Sequence, residues 1–542
     1  MPRLTRRSFI ASTMAVGALA ATPRLVFADN LKRPTVTVAV QQVVNSGALE
    51  PLREQSNVGN RIFYSIYDDL IDTDRQGDLS MRPGLATEWR RIDDKTVELK
   101  LRQGVKFHNG DEMTAEDVAF SWGPERMFGT GEDATATNLF TAQRGHAAKT
   151  LPPEVAAVAK RLWPALDRME VVDKYTVRLV NKVPDVTLEG RLARASQVIS
   201  KRAFLEAGDW SSWARNPVGA GPYRVAEFRP DNVLVLEAFD EYWQGRPPIA
   251  QIRFVVVPEV ASRINGLLSG EYDFITDVPP DQIATVERDP RYEVVGGPIL
   301  NHRLLCFTQD HPVLADPRIR RAMTHSIDRE LIVDSLFLGR TAVPKGLQWD
   351  YYGDMLIRDW TVPEFDPALA KQLIKEAGYK GDAIPYRVLN NYYTNQVSTS
   401  QILIEMWRQV GLNVTIEMKE NWQQIFDKSS ARGVRDWSNS APFSDPVSSL
   451  VNQHGPRGQQ QQIGEWANAE FNKLSAELET STDLEKRRAA FRRMLEISER
   501  EDPAYTVLHQ TALFYGKRKD VEWTWSPRQS MDFRSGNFAI RS

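Results

Sequence analysis

A single cysteine, Cys306, in 542 residues rules out an internal disulfide, a zinc ribbon and a CxxC redox pair, each of which needs a second thiol. Histidine is nearly as scarce. The seven are His108, His146, His302, His311, His325, His454 and His509. No two lie three or four residues apart, so no helix carries a ready-made metal-binding face, and neither a metal nor a cofactor is expected. The text holds no HExxH, no GxSxG and no Walker A loop, the local signatures of zinc peptidases, α/β-hydrolases and P-loop NTPases. An excess of one charge is missing too. With 68 basic and 71 acidic residues, net −3, nothing suggests nucleic acid or an anionic membrane as partner. No period of about 20–50 residues repeats, which argues against solenoids and propellers. Low-complexity text is confined to Gln459–Gln462, expected to be a solvated loop. What remains is a chain of ordinary globular composition, too long for one compact core.

The first 28 residues differ from the rest. They contain Arg3, Arg6, Arg7 and Arg24 and no acid. Thr5-Arg6-Arg7-Ser8-Phe9-Ile10 leads into an apolar, small-residue run ending at Ala21, and Val26-Phe27-Ala28 offers the small residues a signal peptidase reads. The pattern is that of a twin-arginine signal peptide over 1–28, with Arg6 and Arg7 as the pair. Its removal takes the net charge from −3 to −7 through the loss of four arginines. No cysteine stands near the cleavage point, which argues against a lipid anchor. Beyond the signal there is no apolar run of about 18 residues that would span a bilayer. A periplasmic location is expected.

Strand and helix patterns then alternate. Thr35 to Val40, Val97 to Leu101, Thr176 to Val180 and Val233 to Phe239 read as strands. The second is expected to be half-buried, with Glu98, Lys100 and Arg102 facing solvent. Ile252 to Val257 is more uniformly apolar than these and is expected to be covered on both faces. Thr114 with Asp117 suggests a capping box. Asp316-Pro317 and Asp366-Pro367 each pair an N-cap with a proline at the first helical position. Ile319, Met323 and Ile327, then Leu369, Leu373 and Ala377, make four-residue stripes, and Gly378 is placed to end the second helix. The fold class is α/β, in at least two lobes.

The text between Leu85 and Ser121 carries a resemblance. Leu85-Ala86-Thr87-Glu88-Trp89, Asp94-Lys95-Thr96-Val97, Leu101 through Gly110 (LRQGVKFHNG) and Thr114 through Ser121 (TAEDVAFS) closely resemble the signature of the family 5 extracellular solute-binding proteins, the dipeptide, oligopeptide and nickel binders of ABC importers. Gly219-Ala220-Gly221-Pro222-Tyr223, Leu268 to Asp273, Asp316 to Gly339 and Asp366 to Gly378 are similar to further segments of that family, in its order. The residues of the signature itself read as structural: Phe107 plugs, Gly110 turns, and His108 is a hydrogen-bonded turn residue rather than a metal ligand.

The resemblance implies a periplasmic binding protein fold of two hinge-linked lobes, with lobe I over 29–300 (an extra subdomain at about 62–200), lobe II over 301–510, and a C-terminal return to lobe I over 511–542. The crossings are placed near Gly296 to Phe307 and Thr506 to Tyr515. It also implies no catalysis, a monomer, a small-molecule or peptide ligand held in the cleft, and delivery to membrane permease subunits with cytoplasmic ATPases. Peptides or peptide-like compounds are the expected ligands; nickel chelates, opines, amino-acid conjugates and oligosaccharides are the alternatives, because this fold hosts them all. Two other roles stand as rivals: a secreted hydrolase whose triad is assembled only in space, and a chemoreceptor adaptor.

For the cleft, the resemblance points to Trp422, after Glu420-Asn421, and to Trp437. Peptide-binding relatives carry an Asp three residues after the second Trp and four before a Pro. Here those positions are Ser440 and Pro442. A desolvated ammonium without a carboxylate is costly, so free-amine peptides are expected to bind weakly unless Asp436 or Asp445 substitutes. The residue-level reading is that Asp436 ends a strand and Asp445 caps a helix. Asn439 lies in the same stretch. Asn391 and Tyr393, at the end of the strand Tyr386 to Leu389, are further candidates, as are Asn45 and Asn57 from the other lobe. Arg387 is a candidate for a ligand carboxylate. The signal assignment has a direct check. With Arg6 and Arg7 both changed to Lys, precursor should accumulate in the cytoplasm; normal export of that variant with the general secretion route blocked would refute the twin-arginine reading.

Overall fold

A computed structural model describes residues 33–129, 151–390 and 392–541. The segment bearing Arg6 and Arg7, His146 and Asn391 lie outside the described residues. Ten strands form one sheet: β1 (Thr35–Val40), β2 (Tyr223–Arg229), β3 (Val233–Ala238), β4 (Gln251–Val256), β5 (Phe274–Ile275), β6 (Tyr292–Phe307), β7 (Ile384–Leu389), β8 (Val414–Lys419), β9 (Val434–Ser440) and β10 (Tyr505–Arg518). Their spatial order is β8-β7-β9-β6-β10-β5-β1-β4-β3-β2. A second, four-stranded antiparallel sheet is built from Ala86–Arg91, Thr96–Leu101, Thr176–Asn181 and Leu166–Asp173. Its core residues Val97, Leu99 and Leu179 belong to the same cluster as Val38 and Phe254 of the large sheet.

Among the described residues, two strands, β6 and β10, carry the large sheet from one lobe to the other. Along β6, Ile299 packs with Val38 and Phe254, whereas Leu304 packs with Phe443, Leu450 and Phe491. Along β10, Leu508 packs with Tyr386 and Trp407, and Ala512 with Ile264 and Ile275. The β6–β10 ladder is interrupted between Pro298 and His302, where Pro298 has no N–H to donate. Just before the interruption, Gly296 sits at φ +139°, and a Cβ there would stand 2.1 Å from the carbonyl oxygen of Leu513. Glycine is therefore required where β6 passes this close to Leu513 of β10.

The family-like segments fit one another. The Phe107 to Gly110 turn docks on the Gly219 to Tyr223 segment: the His108 amide donates to the Gly219 carbonyl at 3.0 Å and its ring Nε2 lies 3.0 Å from the Gly221 carbonyl. Burial pushes the His108 pKa down to about 4, so the ring is a neutral structural piece. Thr114 and Asp117 form the capping box, and Asp316 and Asp366 cap their helices. Gly378 closes the latter helix at φ +67°.

Three expectations need correction. Gln459–Gln462 is a helical turn, and Gln460, 1% exposed, accepts from the buried Arg435 guanidinium. Glu98 does not face solvent: it is buried between Arg90 and Arg178 on the neighbouring strands. β4 buries Ile252 and Phe254 but leaves Arg253, Val255 and Val256 half-covered, because it pairs with β1 and β3 near one end of the sheet. The crossing can be tested by Gly296→Ala, which should destabilise the protein by about 1–3 kcal/mol, read as a lowered midpoint in chemical denaturation; an unchanged midpoint would mean that the backbone does not need glycine there.

Candidate functional site

The lobes meet across the crossing strands. The Asn45 side-chain amide donates to Tyr392 Oη at 3.1 Å, Asn57 donates to Ser438 Oγ at 3.3 Å, and Arg528 donates to the Pro442 carbonyl at 3.0 Å. Arg161 reaches Gln459 Oε1 at 3.5 Å. Between these contacts lies a cavity of about 260 Å³ walled by Asn45, Ser46, Glu54 and Asn57 on one side and by Tyr392, Tyr393, Trp422, Trp437, Ser438 and Ser440 on the other. A smaller cavity of about 60 Å³ shares Ser440 and adds Tyr64, Tyr67, Arg194, Pro442 and Arg528.

The aromatic wall is ordered by its sequence neighbours. Asn421 caps the helix Trp422–Phe426 by accepting from the Gln424 amide, which sets Trp422 at the start of that helix. Trp422 and Trp437 meet edge to face at 5.1 Å, and Trp422 meets Tyr392 in the same way at 4.9 Å. Arg435 lies over the Trp437 ring at 4.5 Å, and Arg303 over the Tyr393 ring at 3.7 Å. Cationic groups on aromatic faces lock these rings and leave their remaining surfaces to the cavity.

Behind the wall is a buried charge network. Asp436 pairs with Arg303 at 2.7 Å, the two side chains being 2% and 3% exposed. Asp436 also accepts from Tyr386 Oη at 2.6 Å and from Gln396 Nε2 at 2.8 Å. Gln396 Oε1 in turn accepts from the backbone amides of Tyr392 and Tyr393, both at 3.1 Å. One buried carboxylate thus fixes the tyrosine loop through a single glutamine. Neither Arg303 nor Gln396 was singled out from sequence; their role depends on β6, β7 and β9 lying side by side, which no local pattern reveals.

The structure brings Asn45, Tyr393, Trp422, Trp437 and Ser440 into one cavity, with Asn57, and Asn391 lies outside the described residues. It does not bring Asn439 or Asp445 there. Asn439 is fully buried with its amide 3.4 Å from His454 Nε2, since it points to the opposite face of β9 from Ser438 and Ser440. Asp445 caps Val447 and pairs with Arg487 at 2.8 Å, so its carboxylate is spoken for. Asp436 stands inside β9 rather than at its end. Arg387 is buried, donating to the Ile425 and Asp427 carbonyls at 2.9 and 2.7 Å, and so is neither solvated nor available to a ligand. Glu54, the one acid in the larger cavity's wall, already accepts from the amides of Asn45, Ser46 and Ser56, each at 2.8 Å.

Among the described residues no three His, Cys, Asp or Glu side chains converge as a metal site, and no helix is long and apolar enough to cross a membrane. Cys306 is buried, its thiol pKa pushed up to about 12 by burial.

Two lobes, one sheet threaded twice between them and a cleft lined from both sides define a two-lobed binding protein. Residues 80–459 match the family described as bacterial extracellular solute-binding proteins, family 5 (middle), and the chain belongs to that family. It is 25% identical over 479 residues to the dipeptide-binding protein of Escherichia coli K12, covering 84% of this chain and 86% of that one. Among solved structures it superposes on a dipeptide-binding protein from Pseudoalteromonas sp. SM9913 in complex with Met-Leu, with TM-score 0.80, 22% identity and coverage of 93% and 100%. It also superposes on the binding protein MoaA from A. tumefacien R10 in complex with mannopinic acid, with TM-score 0.78, 20% identity and coverage of 94% and 100%.

The buried pair makes a prediction. Asp436→Asn should cost about 3–5 kcal/mol of ligand-free stability, because it strands the Arg303 guanidinium in the interior. Thermal or chemical unfolding measures this. An acid that served only to hold a ligand amine would leave the ligand-free protein unharmed when neutralised, and that result would refute the structural role.

Proposed function

We propose that this chain is the ligand-capturing component of an ABC importer, acting in the periplasm and handing peptide-like small molecules to a membrane permease. The observation that carries the reading is the double lining of the cleft. A ligand lying against Trp422, Trp437 and Tyr393 also faces Asn45, Ser46 and Asn57 of the opposite lobe. It therefore stabilises the closed arrangement through contacts that an open cleft cannot offer, which is the differential affinity any ligand-driven closure requires. No bond is made or broken in such a cycle. Each aromatic contact contributes about 0.5–1.5 kcal/mol beyond its buried area, enough for several rings to hold a flat or apolar ligand body.

Family membership supports the transport role, and the named ligands of the relatives, dipeptides and an opine, support a small peptide-like substrate class. The cleft departs from a free-peptide site in one respect: every carboxylate in its described walls is already bonded to protein donors. Mass spectrometry of solute released from natively purified protein should identify a compound of this size class. Adding it back at about 100 times its Kd should raise stability by about 2.7 kcal/mol. A tightly bound solute that leaves unfolding unchanged, or turnover of the solute into product, would contradict capture by closure.

A further inference from the structure

The cleft walls carry more positive charge than the protein neutralises. The two cavities, which share Ser440, are lined by five arginines and two carboxylates. Two of the arginines are balanced: Arg53 pairs with Glu154 at 2.8 Å, and Arg75 with Asp69 at 2.9 Å and Asp72 at 3.2 Å. The carboxylates are committed as well, Glu54 to backbone amides and Asp69 to Arg75 and to Gln197 at 2.7 Å.

Arg161, Arg194 and Arg528 have neutral partners. Arg161, in the last turn of the helix Pro153–Leu162, donates to Gln459 Oε1 at 3.5 Å. Arg194 donates to Gln55 Oε1 at 3.3 Å. Arg528 donates to Thr73 Oγ1 at 2.6 Å and to the Pro442 carbonyl at 3.0 Å. None of the three forms an ion pair among the described residues. Burial lowers all three pKa values to about 10; at Arg194 the nearby Asp69 opposes this while Arg161 and Arg75 add to it, and at Arg528 Arg75 and Arg194 add to it while Tyr351 and Asp69 oppose it. They remain cations at neutral pH, crowded and unpaired, a state that favours binding an anion. Lobe II answers with donors: the indole N–H groups of Trp422 and Trp437 are buried without an acceptor among the described residues.

We propose that the cleft is built for a small organic anion bearing two acidic groups, one held by Arg194 and Arg528 and the other by Arg161, with its body against the Trp422 and Trp437 wall. The inference rests on the ligand-capture reading above and adds the ligand's charge to it. Arginine suits the task because its planar fork bonds a carboxylate through two parallel N–H groups. A ligand ammonium finds no uncommitted carboxylate in these walls. Three separate segments of lobe I supply the guanidinia, and only the folded, closed protein collects them beside the lobe II aromatics.

The test uses the full mature chain and three probes with one body and different charges: N-acetyl-Glu-Tyr, the neutral N-acetyl-Gln-Tyr amide, and the cationic Lys-Tyr amide. Calorimetry and thermal shift at matched ionic strength should show binding of the dianion at millimolar concentration or below and none of the cation. Arg161→Gln and Arg194→Gln, whose native bonds are single and long, should each weaken the dianion about tenfold or more while leaving the ligand-free melting temperature equal or higher, because a repulsive charge has gone. Equal binding of all three probes, no binding of the dianion, or a fall in ligand-free stability in both variants would overturn the proposal. Capture of a neutral or cationic native solute that still stabilises the protein would overturn it too while leaving the transport reading intact; absence of any captured solute and of any stabilisation would count against that reading itself.

Discussion

The structure depends on one constraint: among the described residues, a ten-stranded sheet passes between two lobes through two strands, β6 and β10. Elsewhere in the sheet each strand packs only into clusters of a single lobe. These two must belong to both, so their residues change allegiance within a few positions, from Ile299 to Leu304 and from Leu508 to Ala512. A packed core resists continuous deformation. The change of allegiance along β6 falls where its ladder with β10 breaks after Pro298. Everything at the cleft follows from that geometry, because residues far apart in sequence, such as Asn45 and Tyr392, can meet only when the crossing bends the right way.

The same geometry explains the division of labour among charges. In lobe II, Asp436 and Arg303 neutralise each other beneath the aromatic wall and pin the tyrosine loop through Gln396. Such a buried pair is a poor source of net stability but a strong determinant of a unique arrangement, since breaking it leaves an uncompensated ion. On the lobe I wall, Arg75 is likewise paired with Asp69, whereas Arg161, Arg194 and Arg528 face the cleft with neutral partners.

Much of the fold was legible because local chemistry and global structure agree. Asp-Pro helix starts at 316 and 366, the Thr114–Asp117 capping box and Gly378 act as read, since each is settled within four residues. The aromatic candidates Trp422, Trp437 and Tyr393 also arrive in one cavity. Asp445 caps a helix as read, but it, Asn439 and Arg387 are polar residues near the expected cleft whose partners, Arg487, His454 and the Asp427 carbonyl, come from other elements. Gln460 looked solvated until Arg435 claimed it. The arginine cluster was invisible because its members come from positions 161, 194 and 528, with nothing in their local text to join them.

The central claim is that ligand bridges the cleft and closes it about β6 and β10. Cys306 is buried, so labels can be directed to two introduced cysteines, Glu125→Cys on lobe I and Lys428→Cys on lobe II, both exposed positions. The distance between them, measured by pulsed electron resonance on protein stripped of solute and then reloaded, tests the claim most directly. The account predicts a longer or broader distribution without ligand that collapses to one short distance when the captured solute is restored. A single distance, the same with and without ligand, would contradict it.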